Sequence, residues 1–399
     1  MGLRRCVKFV FLGAILAFAA VPGQCRSAGQ GPTAALSTRY QQLKEASRLI
    51  AAGQLAAADS LLLRILRDYP NEARAIDLQG VIRAEQGDLS QAEERFRRAI
   101  EIDPTIAAAH GNLAHLLHTE HRDQAAMEEY EAALTQEPAN TAAKAGLVEI
   151  AEQQSLAARK AGDNHQALAV LIEAKKYAPH EPRILFDFGL MALETGFNRD
   201  AEAALREAHT LEPENLNYLY GLARAEIELQ QMPEAERLMR QYLSRMPDDA
   251  TAHYGLGRVL QMLERNAEAK PEFTRSIALQ PEQTEAYFQL GQIDLDEANF
   301  ASATQYFEKA LSFNPKHAGA LTSLGIVAYR QKDYAKAEKY LKPAVEAAPT
   351  YQLAHYYYGL ALGKLGEKEA SEKELSISSR LIEEEHAQKK SYLQLQTAP

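Results

Sequence analysis

Four histidines stand within a short stretch, at His110, His115, His118 and His121. Three residues apart on a helix, the imidazoles of His115 and His118 face the same side and could share a metal ion, with His121 in the following turn. Two imidazoles without a carboxylate at fixed spacing make a poor transition-metal site. These rings are therefore expected to pack or to meet solvent. Carboxylate pairs with the chemistry for general acid–base work occur at Glu93-Glu94, Glu128-Glu129 and Glu383 to Glu385, but solvated helix faces with partners one turn away account for them. His180-Glu181 starts like the zinc signature HExxH, yet Pro182 follows and no second histidine is in place. GxxxxGK[ST], a strand-associated GxGxxG and GxSxG are all missing. Cys6 and Cys25 are the only cysteines, too few for a disulfide framework or a multi-cysteine zinc site. The reading is of a chain that is not an enzyme, with no catalytic residue, no metal and no cofactor.

The elements that would carry any binding chemistry follow from an internal period. Pro70, Pro104 and Pro138 are 34 residues apart, as are Pro179, Pro213, Pro247, Pro281, Pro315 and Pro349. Only the step from Pro138 to Pro179 differs, at 41 residues. Twelve residues before each of these nine prolines stands an alanine, from Ala58 to Ala337. Gly80, Gly189, Gly257, Gly291 and Gly325 lie 24 before, and Gly359 continues that series. Apolar residues between the prolines recur at helical spacing, as in Leu185, Phe188, Gly189 and Ala192. Each period thus reads as two helices. A turn such as Gly87-Asp88 or Gly196-Phe197 parts them, Gly and Ala let their axes approach, and proline closes the second. One such pair cannot bury its own apolar face, so stacking must supply the stability.

In period, small-residue positions and proline, residues 39–385 resemble the tetratricopeptide repeat (TPR) family. The resemblance implies an all-α, right-handed α-solenoid of about ten helix-turn-helix units. The chain has no tryptophan; the family's frequent Trp site holds Ile76, His110, Leu185, Leu219, His253, Tyr287, Leu321 and His355, which can fill the same packing slot. The seven extra residues fall in 141–162, so the fourth unit is expected to have a first helix two turns longer than its siblings. The divisions are a signal peptide at 1–23, a flexible linker at 24–38, units 1–3 at 39–140 and the lengthened unit at 141–181. Units 5–9 follow at 182–351, then a terminal unit with a polar capping helix at 352–399.

At 100° per residue, positions 27 and 23 before each proline point away from the packing stripe. The first of these columns reads Phe186, Tyr220, Tyr254, Phe288, Thr322 and Tyr356, and the second Leu190, Arg224, Arg258, Gln292, Ile326 and Leu360. The resemblance places this face in a concave groove that binds extended peptides. Phe186, Tyr220, Arg224, Tyr254, Arg258, Phe288, Gln292 and Tyr356 are the candidate groove residues, suited to a segment with apolar side chains and a carboxylate. Packing of neighbouring first helices is the competing role for the aromatics. The family's carboxylate clamp for chaperone C-termini does not match at Asp77 with Val81 or Phe186 with Leu190. An asparagine ladder is absent too, its sites holding Leu78, Asn112, Asp187, Gly221, Gly255, Gln289, Ser323 and Tyr357.

The partner class follows from charge and from the N-terminus. Lys+Arg 44 against Asp+Glu 54 gives a formal charge of −10, which argues against nucleic acid as a partner. The basic start Arg4, Arg5 and Lys8 before the apolar run Val7 to Val21 reads as a secretory signal, too short to span a bilayer. The expected protein is exported, periplasmic or secreted in a bacterial envelope, and touches membrane only if this segment stays uncleaved. Its expected function is that of a non-catalytic scaffold or adaptor binding extended or helical segments of partner proteins. A glycan-binding accessory of polysaccharide export is the alternative, with the same aromatics stacking on sugar rings.

Overall fold

The structure, a computed structural model, describes residues 32–396, and side chains over 38–387. The signal peptide expected at 1–23 lies outside the described residues. Among them are twenty helices and no strand. The first helices of the hairpins are α1 (Pro32–Ala51), α3 (Ala73–Glu85), α5 (Ala107–Thr119), α7 (Thr141–Lys160), α9 (Pro182–Glu194), α11 (Leu216–Glu228), α13 (Ala250–Met262), α15 (Thr284–Asp296), α17 (Ala318–Arg330) and α19 (Gln352–Leu365). The second helices are α2 (Leu55–Asp68), α4 (Leu89–Ile102), α6 (Asp123–Gln136), α8 (Asn164–Tyr177), α10 (Asn198–Leu211), α12 (Met232–Arg245), α14 (Asn266–Leu279), α16 (Phe300–Phe313), α18 (Tyr334–Ala347) and α20 (Lys368–Gln396). Consecutive helices pack as hairpins, as α3 does on α4, α9 on α10, α13 on α14 and α19 on α20. This is an α-solenoid. The chain forms two compact bodies divided between Gly221 and Leu222.

Packing within each hairpin explains the repeat. All nine alanines twelve residues before the prolines are 0% exposed, so no larger side chain fits there without moving a helix. Opposite them a bulky residue fills the interface: Phe96, Phe273 and Phe307 are at most 1% exposed, each burial contributing about 2–3 kcal/mol. The glycines of the first helices give those rings room, since a Cβ on Gly257 would fall 2.7 Å from the Phe273 ring. Neighbouring first helices also touch, α3 with α5 in one body and α15 with α17 in the other. Every principal helix contact joins elements one or two apart in the chain.

The turns supply one device the glycine pattern only half shows. Gly53, Gly87, Gly162, Gly196 and Gly366 adopt positive φ between the two helices of their hairpins. In the other five turns the same left-handed place is held by His121, Gln230, Glu264, Ala298 and Lys332. The lengthened fourth hairpin carries α7 with 20 residues, where α5 and α9 have 13. One expectation needs correction. The linker drawn over 24–38 is helical from Pro32 onward, because proline at a first helical position has φ preset and loses no hydrogen bond there.

Candidate functional site

The outward face of the first helices is best defined in the C-terminal body. There α13 starts at an Asp249 cap, whose carboxylate accepts from the Ala252 N–H at 2.9 Å. Ala252, Leu256, Gly257, Val259 and Leu260 turn inward. Tyr254 and Arg258, one turn apart on the other side, are half-buried. The Tyr254 ring leans on Phe273 with centroids 5.8 Å apart. The Arg258 Nε is buried and has no hydrogen-bond partner among the described residues. Other arginines of this body are paired: Arg265 reaches Glu236 at 2.6 Å, and Arg240 reaches the same carboxylate at 2.9 Å. Arg224 stands in the equivalent place on α11 and is exposed.

The other predicted residues divide by what neighbouring helices do with them. Phe288 packs sideways, its ring 4.8 Å from that of His317 and 2.9 Å from where a Cβ on Gly319 would lie. The Gln292 Nε2 donates to Ser323 Oγ at 3.0 Å. Both residues therefore join α15 to α17. Tyr356 is 42% exposed, with Tyr357 edge-on at 5.3 Å. In the N-terminal body, Phe186 lies 5.0 Å from the Tyr218 ring and 3.1 Å from where a Gly221 Cβ would stand, while Tyr220 is half-buried.

Asp77, Asn112 and Asp187 on the first helices of the N-terminal body entered the sequence analysis only as departures from the clamp and ladder patterns, and their burial was not foreseen there. Asp77 is 5% exposed and accepts from Asn112 Nδ2 at 2.9 Å. Burial pushes its carboxyl up to about 6, against the counter-pull of that hydrogen bond. Asp187 is raised by burial as well. The two extra turns of α7 border an open cleft of about 390 Å³ lined by Leu156, Arg159, Lys160, Asn164, Met191 and Glu194. Of the four clustered histidines, His118 places Nδ1 2.7 Å from Asp123, and His110 is buried against Glu129. No group of three or more His, Cys, Asp or Glu side chains among the described residues is placed to hold a metal ion. No helix among the described residues is long and apolar enough to cross a membrane.

Two family models, both described as tetratricopeptide repeat, match the chain. One covers residues 192–259 and the other 43–105, 78–143, 254–318, 288–352 and 322–375. The chain belongs to the tetratricopeptide repeat family. It is 43% identical over 63 residues to tetratricopeptide repeat protein 36 of Bos taurus, a match covering 16% of this chain and 34% of that protein, so it spans about a third of that relative's length. Among solved structures it is similar to MamA, at 24% identity and TM-score 0.39, covering 42% of this chain and 92% of that one. A second is YrrB, described as a TPR protein with an unusual peptide-binding site, at 23% identity, TM-score 0.38 and coverage of 46% and 95%. TPR arrays serve as protein–protein interaction scaffolds, and that coarse role comes with the family.

Proposed function

We propose that this TPR protein is a non-catalytic scaffold that takes a partner polypeptide segment on the outward face of the first helices in its C-terminal body. The observation that carries this reading is the half-buried Arg258, whose Nε has no acceptor among the described residues, beside the half-buried ring of Tyr254. A carboxylate from a partner would fill the empty hydrogen-bonding position, and a bidentate pair there fixes direction as well as affinity. Apolar side chains of the same segment would lie against Tyr254 and Tyr356, with Arg224 as a second cation in the same column. Phe288 and Gln292 hold α15 to α17 and shape the face from below. Tyr220 and Phe186 extend the same reading to the face of the N-terminal body. The basic and apolar start of the chain supports an exported setting, and so a partner in the same compartment.

Crosslinking capture with two baits tests this. One is the unaltered protein and the other carries Tyr254→Ala, Arg258→Ala and Tyr356→Ala, with circular dichroism verifying that it folds. A defined protein captured by the first and lost at least tenfold from the second is the expected result. Equal capture by both would move the interface off this face and refute the proposal.

A further inference from the structure

Three hairpins carry the same histidine arrangement. On α5, His110 Nδ1 lies 2.6 Å from Glu129 Oε2 on α6, and Nε2 lies 3.1 Å from the carbonyl of Pro104. On α13, His253 Nδ1 lies 2.6 Å from Glu272 Oε2 on α14, and Nε2 3.0 Å from the Pro247 carbonyl. On α19, His355 Nδ1 lies 2.6 Å from Glu374 Oε2 on α20, and Nε2 3.0 Å from the Pro349 carbonyl. Each ring so ties its own helix to the second helix of the hairpin and to the loop that ends the hairpin before.

The pairing recurs inside the chain as a correlated choice. Where the slot holds histidine, the residue nineteen further on is Glu129, Glu272 or Glu374. Where the slot holds Ile76, Leu185, Leu219, Tyr287 or Leu321, that residue is Arg95, Ala204, Leu238, Tyr306 or Tyr340. A glutamate appears with every histidine and with none of the other five.

A neutral imidazole has one N–H, yet each of these rings faces two acceptors, a carboxylate and a carbonyl. Both contacts are satisfied only after one more proton enters. It can sit on Nδ1, giving imidazolium and carboxylate, or on Glu Oε2, which then donates to Nδ1. Without that proton, one of the two contacts sets lone pair against lone pair. We propose that these three side-chain clasps are proton-dependent locks: each takes up one proton from solvent and, in doing so, tightens hairpins three, seven and ten of the array.

In each clasp the glutamate is the carboxylate in direct contact with the ring. Glu129 is the first cause holding His110 above its ordinary range, against the opposing effect of burial. In the loop before His110, Asp103 is occupied by the Thr105 N–H and hydroxyl. Ahead of His253, Asp248 pairs with Arg275, and Asp249 accepts from Tyr242 and Ala252. The loop Pro349-Thr350-Tyr351 holds no acid. At His110, raised on folding, the sign follows from linkage: the stabilisation is complete below the ordinary histidine value and is lost as pH rises through the higher folded one. His253 directly precedes Tyr254, so the proton sets how firmly α13 is held, whatever binds on its outward face.

The test exchanges each pair for one that a sibling hairpin already uses. The variant carries His110→Leu with Glu129→Ala, His253→Leu with Glu272→Leu, and His355→Leu with Glu374→Tyr. Melting temperatures of the full chain and of this variant are compared from pH 8 to pH 6. The unaltered protein should gain several degrees over the variant as pH falls; a difference that stays flat would overturn the proposal. Should the variant fail to fold, ¹⁵N spectra of the unaltered protein decide. Protons on both ring nitrogens of His110 at pH 6, or one shared with Glu129, support the lock, and a neutral ring beside an ionised Glu129 refutes it.

Discussion

Asp77 shows what a single side chain contributes to this molecule and how little of that can be read from spacing. It occupies the outward column, 27 residues before Pro104, yet it is buried, and its carboxyl is raised to about 6. A raised folded value means that the protonated form is favoured in the folded state. Asp77 therefore adds stability below the unfolded value near 4, and this is lost as pH climbs through about 6. Asp77→Asn keeps an acceptor for Asn112 and removes the buried charge. It should stabilise the protein at pH 8 by on the order of 1–3 kcal/mol, with the gain shrinking toward pH 5, as read by urea denaturation at both pH values. No gain at pH 8 would mean that the carboxylate is solvated. The same limit applied to Phe186 and Phe288. Helical periodicity says which way a side chain leaves its own helix, but Gly221 and Gly319 on the next helix decide whether a ring lies down against a neighbour. Arg258 differs because its buried Nε meets no acceptor among the described residues.

At the scale of the helices and turns, far more was legible. Proline spacing, buried alanines and the contact of a first-helix glycine with a bulky side chain of the second helix are local demands repeated in most hairpins, so they leave a register in the sequence. The turns are less regular. A left-handed residue is required in each, and glycine provides it in only half of them. Ala298, at φ 59°, has no polar side chain to compensate the clash of its Cβ in that conformation. The strain costs roughly 1–2 kcal/mol, partly offset by the greater freedom a glycine would lose on folding. Ala298→Gly should thus raise stability by about 0.5–1 kcal/mol, visible as a higher denaturation midpoint at unchanged slope. An unchanged midpoint would mean that the turn relaxes in solution. The start of α1 escaped the pattern for the opposite reason: the chain before residue 39 carries Gly, Ser and Pro, which read as a linker, and proline at the first position of a helix looks no different from proline in a loop.

For the whole molecule, the decisive property is that every principal helix contact among the described residues joins elements one or two apart along the chain. Such an array behaves as a row of coupled segments, each held by its own fold and by its immediate neighbours. Cooperativity along the twenty described helices then depends on every junction being strong, and hairpins differ. The junction after α6 leads into the lengthened α7, while α17 is buried almost throughout its length, with nine of its thirteen residues inside. Unfolding should therefore proceed in more than one step. The chain itself provides the two probes. Helical circular dichroism reports on both bodies, whereas intrinsic emission comes from tyrosine alone, since there is no tryptophan, and twelve of the eighteen tyrosines follow Gly221. Equilibrium urea curves from the two signals should have different midpoints, and the dichroism slope should fall short of that for a single transition of this size. Superimposable curves with a full-sized slope would show that the junctions are stiff enough to make the array one cooperative body. A stiff array would present its outward face as a fixed template, and a segmented one can adjust the spacing of Tyr254, Arg258 and Tyr356 to the segment it meets.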